Sequence, residues 1–217
     1  MGQITLVRHG QASFGTDDYD RLSPLGHDQS AWLGGYFTQA ETRFDLAVHG
    51  TLRRHRETLV GMMPCLEGVD LSEDARLNEM DYDGLLHAML AKTGEAVPHS
   101  RAGFVDLMPR LMVAWSKGEL ANQAETYAHF EQRVWEVIQE VAGTDRNVLL
   151  VTSGGVIGSV LRRVLGLSPE GGTELMLNIY NASFHHFTYE FGGLRLAQFN
   201  GQPHLTGPDK EHARTYV

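Results

Sequence analysis

Disulfide stapling is excluded at once, because the 217-residue chain holds a single cysteine, Cys65. That usage fits a reducing, cytoplasmic compartment best. Long apolar runs are missing too, and none approaches the length of a membrane span. Met1 leads straight into the apolar segment Ile4 to Val7. It has neither a basic n-region nor a small-residue cleavage site, which predicts no secretory leader. Basic charge is in deficit, with 18 Lys and Arg against 27 Asp and Glu and a formal net charge of −9. Such a chain is poorly suited to sequence-independent binding of nucleic acid or anionic membrane. A phosphate ligand stays open, because a local arginine pocket decides that and the total charge does not. Repeats, low-complexity tracts and linkers are also absent, so residues 1–217 read as one domain. What is present is 42 % hydrophobic and 21 % charged residues, enough apolar mass for a real core.

Gln3 to Val7 is short, apolar and β-branched and stops at Arg8-His9-Gly10, which reads as a buried strand followed by a loop. Ser23-Pro24 opens a helix, with serine as N-cap and proline at the first helical position. Leu25, Trp32, Leu33, Tyr36, Phe37 and Ala40 recur at helical spacing and predict its buried face. Phe44 to Val48 reads as a second strand, followed by a basic helix from about Leu52. Between about residues 71 and 117, Gly84, Gly94, Pro98, Gly103 and Pro109 interrupt short helical patterns, and this stretch reads as an insertion covering the site. Phe130, Val134, Val137, Ile138 and Val141 mark an amphipathic helix closed by Gly143. Asn147 to Val151 reads as a third buried strand, which Gly154-Gly155 turns into a helix running to Arg163. Asn178 to Tyr189 and Leu194 to Phe199 read as the last two strands. Strands alternating with helices predict an α/β fold, a mostly parallel central sheet with helices on both faces.

Four segments carry candidate chemistry. Arg8 and His9 stand at the end of the first strand, where ligands of open α/β sheets gather. A neutral imidazole is a nucleophile, and a guanidinium grips phosphate oxygens as a fork. The plain alternative is a surface loop. Leu52-Arg53-Arg54-His55-Arg56-Glu57-Thr58 places guanidinium groups at a helix start, or else is a solvated basic face. Leu77-Asn78-Glu79-Met80-Asp81-Tyr82-Asp83-Gly84 offers a carboxylic acid that, held close to phosphate, would protonate a leaving oxygen; otherwise it is an acidic turn. Val151-Thr152-Ser153-Gly154-Gly155 brings backbone amides and a hydroxyl to a strand-to-helix turn. A serine nucleophile elbow is disfavoured there, because that motif needs glycine where Val151 stands.

Together the four segments resemble the histidine phosphatase (phosphoglycerate mutase-like) superfamily. Leu6-Val7-Arg8-His9-Gly10 is similar to its opening motif, and Leu22 to Gln29 to its Leu-Ser/Thr-x-x-Gly-x-x-Gln helix start. Leu52-x-Arg54-x-x-Glu57-Thr58 is similar to its Leu-x-Arg-Ala-x-Gln-Thr segment, Leu77-x-Glu79 to its acid motif, and Val151 to Gly155 to its Ser-His-Gly-Gly strand end. The resemblance implies a phosphoglycerate mutase-like three-layer sandwich. It implies a phosphoryl group carried on His9, Arg8 and Arg54 on the phosphoryl oxygens, and Glu79 as proton donor and then base. Ser153 stands at the fourth catalytic position, and Ser13, Gly154 and Arg21 are the expected substrate contacts. No metal and no cofactor is implied. The expected partner is a small phosphorylated substrate, with neither nucleic acid nor membrane, and a homodimer is left open.

Three departures stand out. Ser153 replaces the superfamily's second histidine, and loss of one such donor typically costs on the order of 100- to 1,000-fold in rate. A relocated group drawn from His49, His55, His185, His186 or His204 is one way to make up the loss. Gly15 stands where many members carry a phosphate-contacting asparagine, a contact Ser13 is placed to take over. Asp83-Gly84-Leu85 replaces the usual tail of the acid motif, which weakens any inference about substrate. The leading expectation is a phosphatase for a small phosphorylated metabolite. A phosphoglycerate mutase-type transferase is one alternative, disfavoured by the few basic residues of the 71–117 stretch. A weakened phosphate-binding regulatory module, motivated by Ser153, is the other.

Overall fold

The computed structural model describes residues 2–13, 20–121 and 123–216. In chain order the elements are β1 Gln3–Arg8, α1 Pro24–Gln39, β2 Leu46–His49, α2 Arg53–Gly61, β3 Asp70–Glu73, α3 Tyr82–Thr93 and α4 Arg101–Ser116. They continue as α5 Tyr127–Val141, β4 Val148–Thr152, α6 Gly154–Leu165, α7 Pro169–Met176, β5 Phe184–Glu190 and β6 Gly193–Gly201. Among the described residues no helix is long and apolar enough to cross a membrane.

The sheet order is β3-β2-β4-β1-β5-β6. β3, β2, β4 and β1 run parallel, while β5 and β6 form an antiparallel hairpin on the β1 edge. Alternation along the central strands sorts their side chains onto two faces. Ile4, Leu6, Val48, Val148 and Leu150 join one hydrophobic cluster with residues of α3, α4, α5 and α6. Val7, Ala47, Leu149 and Val151 join a second with Leu33 and Phe37 of α1 and Leu59 of α2. The sheet is therefore covered on both sides, which is why β4 reads as an unbroken apolar run. The fold is α/β, with a mostly parallel six-stranded sheet and helices on both faces.

The α1 face differs from the periodicity reading. Gln29 and Ser30 are buried along with Leu33 and Phe37, whereas Leu25, Trp32 and Tyr36 are only half-buried and Ala40 is exposed. Gln29 is inside because its Oε1 accepts the Gln11 N–H at 2.8 Å and its Nε2 donates to the Ala213 carbonyl at 2.7 Å. The helix thus clamps the loop after β1. A Cβ on Gly26 would lie 2.2 Å from the Gln11 carbonyl oxygen, so glycine is what permits the approach.

Three further differences have local causes. β3 falls within the stretch read as a covering insertion, yet it is a sheet edge strand whose four residues are all exposed. Without a buried face it carries no alternation to read. Asn178 to Ser183 do not belong to β5, and Ala182 adopts φ 54°, which breaks a strand there. Helix α7 leaves only a weak mark in the sequence, although Ser168 caps it, accepting the Gly171 N–H at 3.2 Å. Its two glycines diluted the helical pattern.

Candidate active site

Connections leave β1 and β4 in opposite directions. The chain after β1 crosses through α1 to β2 on one side, and the chain after β4 passes through α6 and α7 to β5 on the other. The carboxyl ends of these two neighbours are a topological switch point, the usual place for a ligand in an open α/β sheet. All four parallel strands deliver site residues just past those ends. β1 ends in Arg8 and is followed by His9, and β4 is followed by Ser153 and Gly154. Arg54 lies in the first turn of α2 after β2, and Glu79 follows the turn Ala75–Leu77 after β3.

His9 is 5 % exposed, and its backbone N–H donates to the Thr152 carbonyl at 2.8 Å, pinning it to the end of β4. Its Nδ1 lies 2.7 Å from the Gly10 carbonyl oxygen. A carbonyl only accepts, so Nδ1 carries the proton and Nε2 presents the lone pair. Burial, then the charges of Arg54 and Arg8 and the neighbouring His55, holds the imidazole well below its ordinary pKa, against a weaker opposing pull from the Gly10 carbonyl. These surroundings favour the neutral form of the ring. Gly10 is fixed in turn by its N–H, which donates to Thr58 Oγ1 at 3.0 Å.

Arg8 donates through Nη1 to the Ile179 carbonyl. Arg54 is 8 % exposed and pairs through Nη1 with Asp20 Oδ1 at 2.7 Å. The adjacent Arg53 points outward, where its Nε meets Glu57 Oε1 at 2.6 Å. Glu57 also accepts the Leu22 N–H at 2.8 Å, so it ties α2 to the start of α1. Glu79 Oε2 accepts the Gly155 N–H at 3.0 Å, at the start of α6.

Arg8, His9, Arg54, Glu79, Gly154 and Gly155 share one cavity of about 500 Å³. The rest of its wall is formed by Met80, Asp81, Tyr82, Asp83, Arg101, Phe104, Met108, Met176, Leu177 and Tyr216. The Arg101 guanidinium stacks 4.2 Å over the Tyr216 ring. Tyr82 falls within the acidic segment Leu77 to Gly84, whereas Phe104, Met108, Met176, Leu177 and Tyr216 come from segments that carry no motif. Ser153 is fully buried and lies outside the cavity lining, with its Oγ 2.6 Å from His55 Nε2. Ser13 and Arg21 line a neighbouring hollow with His27, Arg53 and Glu57. Ser13 Oγ donates to the Leu22 carbonyl at 3.1 Å. Gly15 lies outside the described residues. Among the described residues no group of three or more His, Cys, Asp or Glu side chains is placed to hold a metal ion.

The model of the histidine phosphatase superfamily (branch 1) matches residues 4–202. A glucosyl-3-phosphoglycerate phosphatase from Mycolicibacterium vanbaalenii is 29 % identical over 203 residues, covering 84 % of this chain and 82 % of that protein. Among solved structures, a phosphoserine phosphatase from Entamoeba histolytica in complex with phosphoserine superposes with a TM-score of 0.69 at 16 % identity, covering 94 % of this chain and 100 % of that one. A mycobacterial glucosyl-3-phosphoglycerate phosphatase with inorganic phosphate gives a TM-score of 0.66 at 21 % identity, covering 95 % and 100 %. The chain belongs to the histidine phosphatase superfamily, branch 1, and is an enzyme of the phosphomonoesterase type.

Proposed function

We propose that this enzyme hydrolyses a small phosphorylated metabolite through a phosphohistidine intermediate on His9. The observation that carries the reading is the His9 Nδ1 contact with the Gly10 carbonyl, which leaves Nε2 as the lone-pair donor beside Arg8, Arg54 and Glu79. In the first step Nε2 attacks phosphorus and the ester oxygen leaves, taking a proton from the Glu79 carboxyl group. The guanidinium groups of Arg8 and Arg54 stabilise the charge on the equatorial oxygens. In the second step the Glu79 carboxylate takes a proton from water, whose oxygen attacks phosphorus and releases inorganic phosphate and neutral His9. The N–H of Gly155 holds Glu79 in place for both steps.

Hydrolysis is favoured over mutase chemistry by the rest of the cavity wall. A mutase must seat a second anionic phosphoryl group, and beyond Arg8 and Arg54 this wall offers Tyr82, Phe104, Met108, Met176 and Leu177, the carboxylates Asp81 and Asp83, and Arg101 as its cation. Such a wall suits a leaving group with an apolar body. Helices α3 and α4, which supply Tyr82, Phe104 and Met108, act in this reading as the cover of the site. The relatives named above act, by name, on glucosyl-3-phosphoglycerate and phosphoserine, and both compounds belong in the substrate panel.

The test is a panel of phosphorylated metabolites run beside His9→Ala, followed by brief incubation of the parent with labelled substrate and an alkaline quench. Acid-labile, base-stable label at His9 is the expected result. Label at Ser153, or equal turnover by His9→Ala, would overturn the mechanism.

A further inference from the structure

Two buried polar residues beside His9 take no part in the hydrolysis as just described. Ser153 and His55 have no solvent exposure, and Oγ of one lies 2.6 Å from Nε2 of the other across 98 residues of chain. The His55 ring sits 5.7 Å from the His9 ring, centroid to centroid, tilted by 34°. Burying two polar side chains costs stability unless they satisfy one another, and an apolar pair would fill the same space at less cost.

Their positions in the motifs are reciprocal. His55 stands where the superfamily pattern Leu-x-Arg-Ala-x-Gln-Thr has alanine, and Ser153 stands where the strand-end pattern has histidine. An imidazole is gained at the start of α2 and lost at the end of β4, and the fold brings the two positions within one hydrogen bond. No other candidate histidine has such a place. His49 Nδ1 meets the Gly50 carbonyl, His185 Nδ1 accepts the Asn200 N–H, His186 Nδ1 meets Thr5 Oγ1, and His204 lies in the turn Pro203–Leu205.

The tautomer follows from the contacts. His55 Nδ1 is buried and makes no hydrogen bond among the described residues. A bare lone pair there costs less than a stranded N–H. Nε2 therefore carries the proton and donates to Ser153 Oγ, which leaves the hydroxyl proton for another acceptor. Ser153 follows Thr152, whose carbonyl holds the His9 N–H, so Ser153 stands at the strand end to which His9 is pinned.

We propose that His55 is the relocated counterpart of the second histidine, a positioning residue that orients the Ser153 hydroxyl to donate a hydrogen bond to the phosphoryl oxygens at His9. The assignment rests on the phosphohistidine reading. No bond to phosphorus forms at either residue, and the Ser153 proton stays on its oxygen throughout.

The experiment compares the parent with His55→Ala, Ser153→Ala, the double variant His55→Ala/Ser153→Ala, and the exchange variant His55→Ala/Ser153→His. It reads kcat and KM on an aryl phosphate and a thermal melt for each. Each single alanine variant should lower kcat about 100-fold with KM nearly unchanged, and the double alanine variant should be no worse than either. The exchange variant, with an imidazole back at position 153, should regain at least about tenfold over His55→Ala. A pair that only props up the fold would lower the melting temperature, leave kcat near parental, and gain nothing from the exchange; that result overturns the assignment. If His55→Ala does not fold, the exchange variant is read against Ser153→Ala, and activity at or below that of Ser153→Ala is equally fatal. A parent without turnover or label at His9 sinks the phosphatase reading as well. A working parent with a dead exchange variant sinks the relocation alone.

Discussion

Gly155 and Glu79 are locked together from two sides: the Gly155 N–H donates to Glu79 Oε2 at 3.0 Å, and a Cβ at position 155 would lie 2.2 Å from Glu79 Oε1. The same Cβ would lie 2.1 Å from Met80 Cε. Both obstacles are side-chain ends, so the fold can yield while the acid is displaced. Gly155→Ala should therefore melt within a few degrees of the parent. Its kcat should fall by about tenfold to 100-fold, the scale expected when a reacting group moves by roughly 1 Å. Parental kcat in the purified variant would show that Glu79 does not need this seat.

Arg53 and Arg54 are sequence neighbours with opposite surroundings. The Arg54 side chain is 9 % exposed and borders the cavity, whereas the Arg53 side chain is 46 % exposed and pairs with Glu57. Arg54→Ala should lower kcat/KM at least tenfold, since a charge-assisted contact to phosphate contributes roughly 1.5–3 kcal/mol. The Asp20 carboxylate it leaves behind is 38 % exposed, so water takes over and folding survives. Arg53→Ala should stay within about twofold of the parent, as exposed helical pairs contribute only a few tenths of a kcal/mol. Steady-state kinetics on both variants decides it, and equal losses would refute this assignment of the two arginines.

Acid should destabilise the protein below the ordinary histidine range. Burial, followed by neighbouring positive charge or another histidine, pushes His9 and His55 well down. Burial also takes His185 to about 3 and His204 to about 4. Each is neutral when folded and titrates near 6.5 when unfolded, so the unfolded chain binds more protons below that pH. Their contribution is complete above about pH 6.5 and is lost as pH falls toward the folded values. The melting temperature should be flat from about pH 7 to 8 and fall steadily from about 6.5 to 4. The acid limb of kcat/KM should lie below 6.5, because the proposed attack requires neutral His9. A melting temperature that rises between pH 6.5 and 5 would contradict this picture.

Much of the fold was legible because its signals are local. β1 and β4 are buried on both faces and read as apolar runs, and Ser23-Pro24 announces α1 through a cap that accepts the Gly26 N–H at 3.0 Å. The motif residues Arg8, His9, Arg54 and Glu79 could be named because each sits at or shortly after the end of a parallel strand, where the chain turns and leaves a sequence mark. β3 could not be read, since an exposed edge strand has no periodic burial to reveal it.

Residue types and their order determined the α/β class and marked His9, Arg8 and Arg54 as candidate site residues, because caps, alternation and strand ends act over a few neighbouring residues. Tertiary structure alone decided the rest. It joined His55 to Ser153 across 98 residues, drew Gln29 into the interior to hold the loop after β1, and placed Arg101 over Tyr216 beside the cavity. Those pairings depend on which helix packs on which face of the sheet. A hydrogen bond or stacked ring between distant segments forms only after that packing has brought them within a few ångströms, so no local pattern records it.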